Sequence, residues 1–179
     1  MKKHCQQEMT SSKYVSSNDI LTSWFFRMAK ADVGLMAINL RGEQRCGVSG
    51  AAAGNYENLL TFRPEDYNTP IKVRAAVEQL KRAGGGSLPL PCCAQLNART
   101  AVISNWASFF NGLDLMPNVE QVLHLPMLAV PPVQIDFAAA CVFRPRKDEL
   151  AMWVLAPGFD PEREGGGLVG AACVAVSKN

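Results

Sequence analysis

Residues 133–156, which read VQIDFAAACVFRPRKDELAMWVLA, contain two apolar runs on either side of a charged segment. The runs cover 133–143 and 150–156, and the segment 144–148 between them predicts a turn. Short apolar runs bounded by turn signals are typical of buried β-strands. A third apolar run follows at 168–176. Together these strands predict an antiparallel meander that is buried on part of both faces.

The N-terminal part of the chain predicts one amphipathic helix over about 18–31. Ser16 and the two residues after it offer N-cap oxygens, and Asp19 suits the first helical turn. Apolar side chains follow at helical spacing, namely Ile20, Leu21, Trp24, Phe25 and Met28. Core packing is the default role of such an aromatic face, but Trp and Phe are also enriched in protein interfaces.

The segments after this helix predict short strands. The runs 33–40 and 45–53 predict a β-hairpin whose turn includes Arg41 and Gly42. Apolar side chains further along, at Leu59, Leu60 and Phe62, indicate another short strand or a turn.

A second helix is predicted to begin at Thr69 and Pro70, because threonine caps a helix and proline fits its first position. The glycines at 84–86 predict its end. Its basic side chains are expected to lie towards solvent, namely Lys72, Arg74, Lys81 and Arg82. Residues 101–115 predict a further short helix from the spacing of Trp106, Phe109, Phe110 and Leu113.

Length and composition are those of one folded domain. The chain has 179 residues, of which 48% are hydrophobic and 19% are charged. We expect a flexible tail over 1–15 and a single α+β domain over 16–179. Its sheet is expected to be mainly antiparallel, with about five to six strands flanked by two to three helices.

Charge and hydropathy predict the location of the protein and exclude two classes of partner. The net charge of +2 is too small to indicate nucleic-acid binding. No apolar run approaches the roughly 20 residues that span a membrane, so no membrane partner is predicted. The start of the chain lacks the apolar segment of a secretory signal, which predicts a cytoplasmic location.

Six cysteines and two histidines are the residues most suited to covalent or metal chemistry. In the cytoplasm we expect free thiols. No C-x-x-C pair and no glycine-rich nucleotide fingerprint occurs, so neither a metal nor a cofactor is predicted. A cysteine nucleophile needs a base, and Cys92 or Cys93 acting with His124 is therefore one alternative. Asp136 or Asp114 would then orient the histidine.

The elements near the two ends of the chain follow one another in a recognisable order. The first helix ends in Ala-Asp-Val at 31–33, and then come an apolar strand, a short Arg-Gly turn and a second strand that ends near Gly50. The stretch 125–131 looks like an apolar strand before a closing hairpin. This order resembles a GAF domain. The resemblance implies a GAF- or PAS-like antiparallel sheet that cups a small ligand or serves for dimerisation and partner docking.

These patterns favour a non-enzymatic regulatory module that binds a small molecule or a protein partner, or that forms a homodimer. Besides the thiol enzyme, a structural subunit of a larger assembly is a further alternative. A small ligand is expected against the sheet under the proline-broken segment 84–132, in contact with Trp106, Phe109, Phe110, Cys93, Asn97 and His124. A protein partner is expected on the first helix, at Trp24, Phe25 and Met28.

The cytoplasmic interpretation predicts that all six thiols are reduced in the native protein. Thiol counting under denaturing, non-reducing conditions should therefore find every cysteine reactive. A count that falls short by a pair of thiols in freshly purified protein would show that a disulfide has formed and would refute the interpretation.

Overall fold

The chain alternates between helices and strands in an α+β arrangement. The computed structural model describes residues 14–42, 47–51, 53, 57–80, 99–109, 121, 124–126, 137–156 and 172–176. Its helices are α1 (Ser17–Met28), α2 (Pro64–Tyr67) and α3 (Pro70–Gln79), with a 3₁₀ turn at Ala107–Phe109. Its strands are β1 (Val33–Asn39), β2 (Glu57–Phe62), β3 (Thr100–Asn105), β4 (Phe137–Phe143), β5 (Leu150–Leu155) and β6 (Ala172–Val176). The predicted α+β class is confirmed.

The strands form one mixed sheet in the order β2-β1-β3-β4-β5-β6. The pairs β1–β2, β4–β5 and β5–β6 are antiparallel, which confirms the predicted C-terminal meander. The pairs β1–β3 and β3–β4 are parallel, so the expectation of a mainly antiparallel sheet is corrected to a mixed one. Parallel neighbours need long crossover connections, and the chain between β2 and β3 contains α2 and α3.

Two predicted elements differ from the structure. The described residues of the segment 45–53 form turns rather than a strand, because Gly47 adopts a left-handed φ of 66° and Val48 O accepts a hydrogen bond from Gly42 N. Strand β1 pairs instead with β2, which the short apolar run at 59–62 had only suggested. The helix predicted over 101–115 is wrong in its first part, which forms β3. Ala101 and Ile103 alternate with less buried neighbours there, and this is a strand period.

The two predicted helices form with slightly different bounds. Helix α1 is closed by a capping box in which the Ser16 and Asp19 side chains each accept a hydrogen bond from the other residue's backbone. Helix α3 begins at Pro70 as predicted and ends at Gln79. Leu80 then adopts a left-handed φ of 52°, so the helix ends before the glycines at 84–86, which lie outside the described residues.

The core lies between one face of the sheet and the three helices. Phe26 of α1 is fully buried and packs against the rings of Phe25, Phe62 and Tyr67, with centroids 5.4–5.7 Å apart. Its ring also lies directly over Gly34 of β1, where a Cβ would stand 2.7 Å from Phe26 Cε2. The absence of a side chain at Gly34 therefore lets α1 approach the sheet closely.

The second face of the sheet is also partly buried. Residues of the same strands alternate between the faces, and Cys141 and Phe143 of β4 are as buried as their neighbour Val142 on the helix side. Val33 and Leu35 of β1 are likewise buried opposite the helices. The prediction that the C-terminal strands are buried on part of both faces is confirmed.

Replacing Gly34 by alanine should destabilise the protein by about 1–3 kcal/mol, the usual range for overpacking a core. The added methyl would overlap the Phe26 ring, which three other aromatic rings hold in place. Denaturant unfolding measures the loss. Gly50→Ala is the matched control, because its new Cβ would have nothing closer than 3.9 Å. Equal stability of the two variants would contradict the close packing of α1 on β1.

Candidate functional site

Many side chains that the sequence nominated for a site lie outside the described residues. These are Cys92, Cys93, Asn97, Phe110, Asp114 and Asp136. Most of the segment 84–132, expected to cover a ligand, is outside them too. Phe109 ends the 3₁₀ turn after β3. The proposed cysteine–histidine pair and the ligand pocket therefore stay predictions.

Two nominated residues lie at the same end of the sheet. Trp106 follows β3 and its backbone N–H donates to Val142 O at 2.7 Å. His124 is half-buried and its backbone N–H donates to Pro145 O at 2.9 Å. Both bonds are made to the C-terminal end of β4 and the turn that follows it. In open sheets, ligands commonly bind beyond the carboxyl ends of parallel strands, and this is such an end.

The nominated partner-binding residues of α1 divide between core and surface. Phe25 is fully buried, so it supports the fold and presents no surface to a partner. Trp24 and Met28 pack against the edge of the core and are partly exposed. Ile20, which was expected only as part of the helix's apolar face, is 38% exposed. Ile20, Trp24 and Met28 follow one another at four-residue spacing and form a continuous row, which we call the α1 stripe.

The C-terminal end of α1 carries a cluster of positive charge, which we call the basic turn: Arg27, Lys30, Arg63 and Arg99. Arg27 and Lys30 are exposed. Arg99 Nη1 donates to Lys30 O at 3.3 Å, and Arg63 Nη1 donates to Asp32 O at 3.4 Å. Both guanidinium groups are thus held at the turn that ends α1. The Asp32 carboxylate accepts the backbone N–H of Arg99 and is the one acid within the turn itself.

The side of α1 opposite the stripe buries a charged group as well as the Phe26 ring. Asp19 is fully buried, and its Oδ2 accepts bonds from Ser16 N, Ser16 Oγ and Arg74 Nε at 2.7, 2.7 and 2.8 Å. Arg74 reaches across from α3, also donates to Ser16 Oγ, and lies over the Tyr14 ring. The expectation that Arg74 points to solvent is wrong, since its side chain is only 12% exposed.

The sequence predicts the acidic half of this ion pair but not its arginine partner. The Ser-x-x-Asp pattern at 16–19 predicts a capped helix. No sequence pattern near these residues indicates that an arginine on another helix pairs with Asp19. Long basic side chains are usually solvated, so the solvent assignment of Arg74 followed the more common case. The pairing depends on how α3 packs on α1, which is a non-local property.

The described thiol is poorly suited to nucleophilic catalysis. Cys141 is 1% exposed, and burial raises the pKa of its thiol to about 11. The thiolate is the reactive form, so little of it exists near neutral pH. Among the described residues, no group of three or more His, Cys, Asp or Glu side chains is placed to hold a metal ion.

Comparisons with protein-family profiles, with curated proteins and with solved structures found no match to this chain. Within the described ranges, no helix combines the length and the apolar character needed to cross a bilayer.

Removing the buried cation by Arg74→Met should cost about 3–5 kcal/mol of unfolding free energy, because Asp19 would keep a buried charge without its partner. Arg146→Met is the matched control. Its partner Glu149 lies 2.9 Å away, but both side chains are about half exposed, so the loss should stay below about 1 kcal/mol. Denaturant unfolding compares the two, and similar losses would mean that Arg74 is solvated.

Proposed function

We propose that the chain is a non-enzymatic interaction module that binds a protein partner through the exposed side of α1. The partner presents an amphipathic helix whose apolar residues pack on the α1 stripe and whose acidic residues reach the basic turn. The α1 stripe carries this proposal, because it is the continuous row of partly exposed apolar side chains on a helix whose other side is already packed.

The α1 stripe has the composition of an interface rather than of ordinary surface. Tryptophan and methionine are enriched where proteins dock, and Trp24 is fixed on one side by the core. A side chain that is already held in place loses little conformational entropy when a partner covers it. Ile20 and Met28 lie one turn to either side, so a partner helix packed along α1 contacts all three.

Charge selects the kind of helix that fits. The exposed charges of Arg27 on α1 and of Lys30 in the turn after it are positive, and the guanidinium groups of Arg63 and Arg99 adjoin this turn. The acid of α1, Asp19, is buried and paired with Arg74. Complementary charge steers association and suppresses wrong partners. An acidic amphipathic helix therefore fits this surface, and a basic one is repelled.

The other interpretations remain proposals with less structural support. A thiol enzyme would depend on Cys92 or Cys93, which lie outside the described residues. A GAF- or PAS-like ligand site would draw on Trp106 and His124 at the end of β4, where the structure describes two backbone bonds. A homodimer or a larger assembly would also use the α1 stripe, but another subunit would cover it in place of the partner helix.

The test uses a synthetic helical peptide with leucines at helical spacing and glutamates beside them, titrated into isotopically labelled protein. We expect NMR shift changes along the exposed side of α1, and affinity that falls as salt rises. Ile20→Glu should weaken binding about tenfold or more. Gln79→Glu is the matched control, since it adds the same charge at an exposed position of α3 and should bind like wild type.

Three results would overturn the proposal. One is equal binding of a peptide in which lysines replace the glutamates. Another is shift changes that map to the end of β4, which would favour the ligand-site interpretation. The third is a dimer of the protein alone, detected by sedimentation and dissociated by Ile20→Glu, which would make a second copy the occupant.

A further inference from the structure

Among the described residues, four buried side-chain oxygens on α1 and at the start of α3 have no hydrogen-bond partner: Asn18 Oδ1, Asp19 Oδ1, Thr22 Oγ1 and Thr69 Oγ1. Asp19 and Thr22 are fully buried as whole residues. Buried polar atoms are nearly always hydrogen-bonded, because an unsatisfied one loses its hydration without compensation. Such atoms on two packed helices point to hydrogen-bond partners other than the protein groups that the structure describes.

Three of the oxygens share one side of α1. Thr22 lies four residues after Asn18 and three after Asp19, so the three side chains are neighbours on the helix surface. Asp19 Oδ2 accepts hydrogen bonds from Ser16 and Arg74, whereas Asp19 Oδ1 remains available to another donor.

Two hydrogen bonds hold the segment that contains Thr69 against α1. Ser23 Oγ donates to Tyr67 O at 2.7 Å, and Arg74 Nε donates to Asp19 Oδ2 at 2.8 Å. Thr69 lies between Tyr67 and Arg74 in the chain, so the start of α3 runs past α1 between these contacts. The Thr69 hydroxyl makes no capping bond to its own helix and is available to a ligand.

We propose that this junction encloses bound water that joins the start of α1 to the start of α3. Water donates to the two acceptor-only oxygens, Asn18 Oδ1 and Asp19 Oδ1, and accepts from the hydroxyls of Thr22 and Thr69. Buried waters typically make about three such bonds.

The surrounding charge selects a neutral ligand. A cation at Asp19 Oδ1 would be repelled by the Arg74 guanidinium, whose Nη2 lies 2.7 Å from the other oxygen of the same carboxylate. An anion would be repelled by the carboxylate itself. A small neutral molecule with two donors and two acceptors satisfies all four oxygens, and water is the one that is always present.

Thr22→Val tests the assignment by the sign of its effect on stability. Valine keeps the shape of threonine and has similar helix propensity, so the hydroxyl is the main change. If the hydroxyl binds water, its loss breaks a hydrogen bond and leaves the water short of a partner, and we expect Tm to fall by about 2–4 °C. If the hydroxyl is unsatisfied, removing it takes away a desolvation cost, and a Tm that stays the same or rises overturns the proposal.

Direct detection of the water keeps the test independent of the variant's folding. Oxygen-17 relaxation dispersion of the solvent should show long-lived water in the wild-type protein, with a smaller amplitude in Thr22→Val. A crystal structure should place density within hydrogen-bond distance of Asp19 Oδ1 and Thr22 Oγ1. A dry contact between those atoms, or an unchanged dispersion amplitude, would contradict the assignment.

Salt identity separates water from a bound cation. The Tm of the wild-type protein should be the same in sodium, potassium and tetramethylammonium chloride at equal ionic strength. A rise specific to sodium or potassium would mean that a metal ion occupies the junction and would overturn the assignment to water.

Discussion

The contact between Phe26 and Gly34 is the constraint on which the rest of the described structure depends. The ring occupies the space that a side chain on β1 would need, and this fixes α1 close to the sheet. Phe62 of β2 and Tyr67 of α2 pack against the same ring, and the Tyr67 hydroxyl donates to Ala31 O in the segment between α1 and β1. One aromatic ring thus joins two strands and two helices, so α1 has little freedom to rotate about its axis.

In this fixed orientation, α1 buries several polar side chains and exposes an apolar one. Helical periodicity turns Asp19, Thr22 and Ser23 inward together with Phe25 and Phe26, and leaves Ile20 outside. A simple amphipathic helix would bury its apolar residues and expose its polar ones. Here the buried polar groups need partners within the fold, which Arg74 and the Tyr67 carbonyl supply in part. The exposed apolar groups, in turn, gain from a partner outside it.

Local signals in the sequence predicted several of the elements, whereas non-local packing decided the site. The capping residues Ser16 and Asp19, the Thr69-Pro70 start and the C-terminal apolar runs each act within a few residues, and each element that they predicted exists. The Asp19–Arg74 pair joins residues that are 55 positions apart in the chain. Strand β3 likewise pairs with β1 and β4, which are both distant from it in the sequence. Periodicity along the chain carries no information on such partners. The close approach of Phe26 to Gly34 is likewise a contact between two elements that periodicity does not predict.

The two sides of α1 act through different forces, so their roles are separable. The inner side is held by the Arg74–Asp19 bond to α3, by the Ser23–Tyr67 bond to α2 and by the Phe26 ring, and the Ile20 side chain takes part in none of these contacts. Residues without shared partners usually contribute independently to free energy. Covering the α1 stripe therefore adds apolar burial without asking the inner polar contacts to rearrange. A partner meets a surface that is already formed, which keeps the entropic cost of docking low.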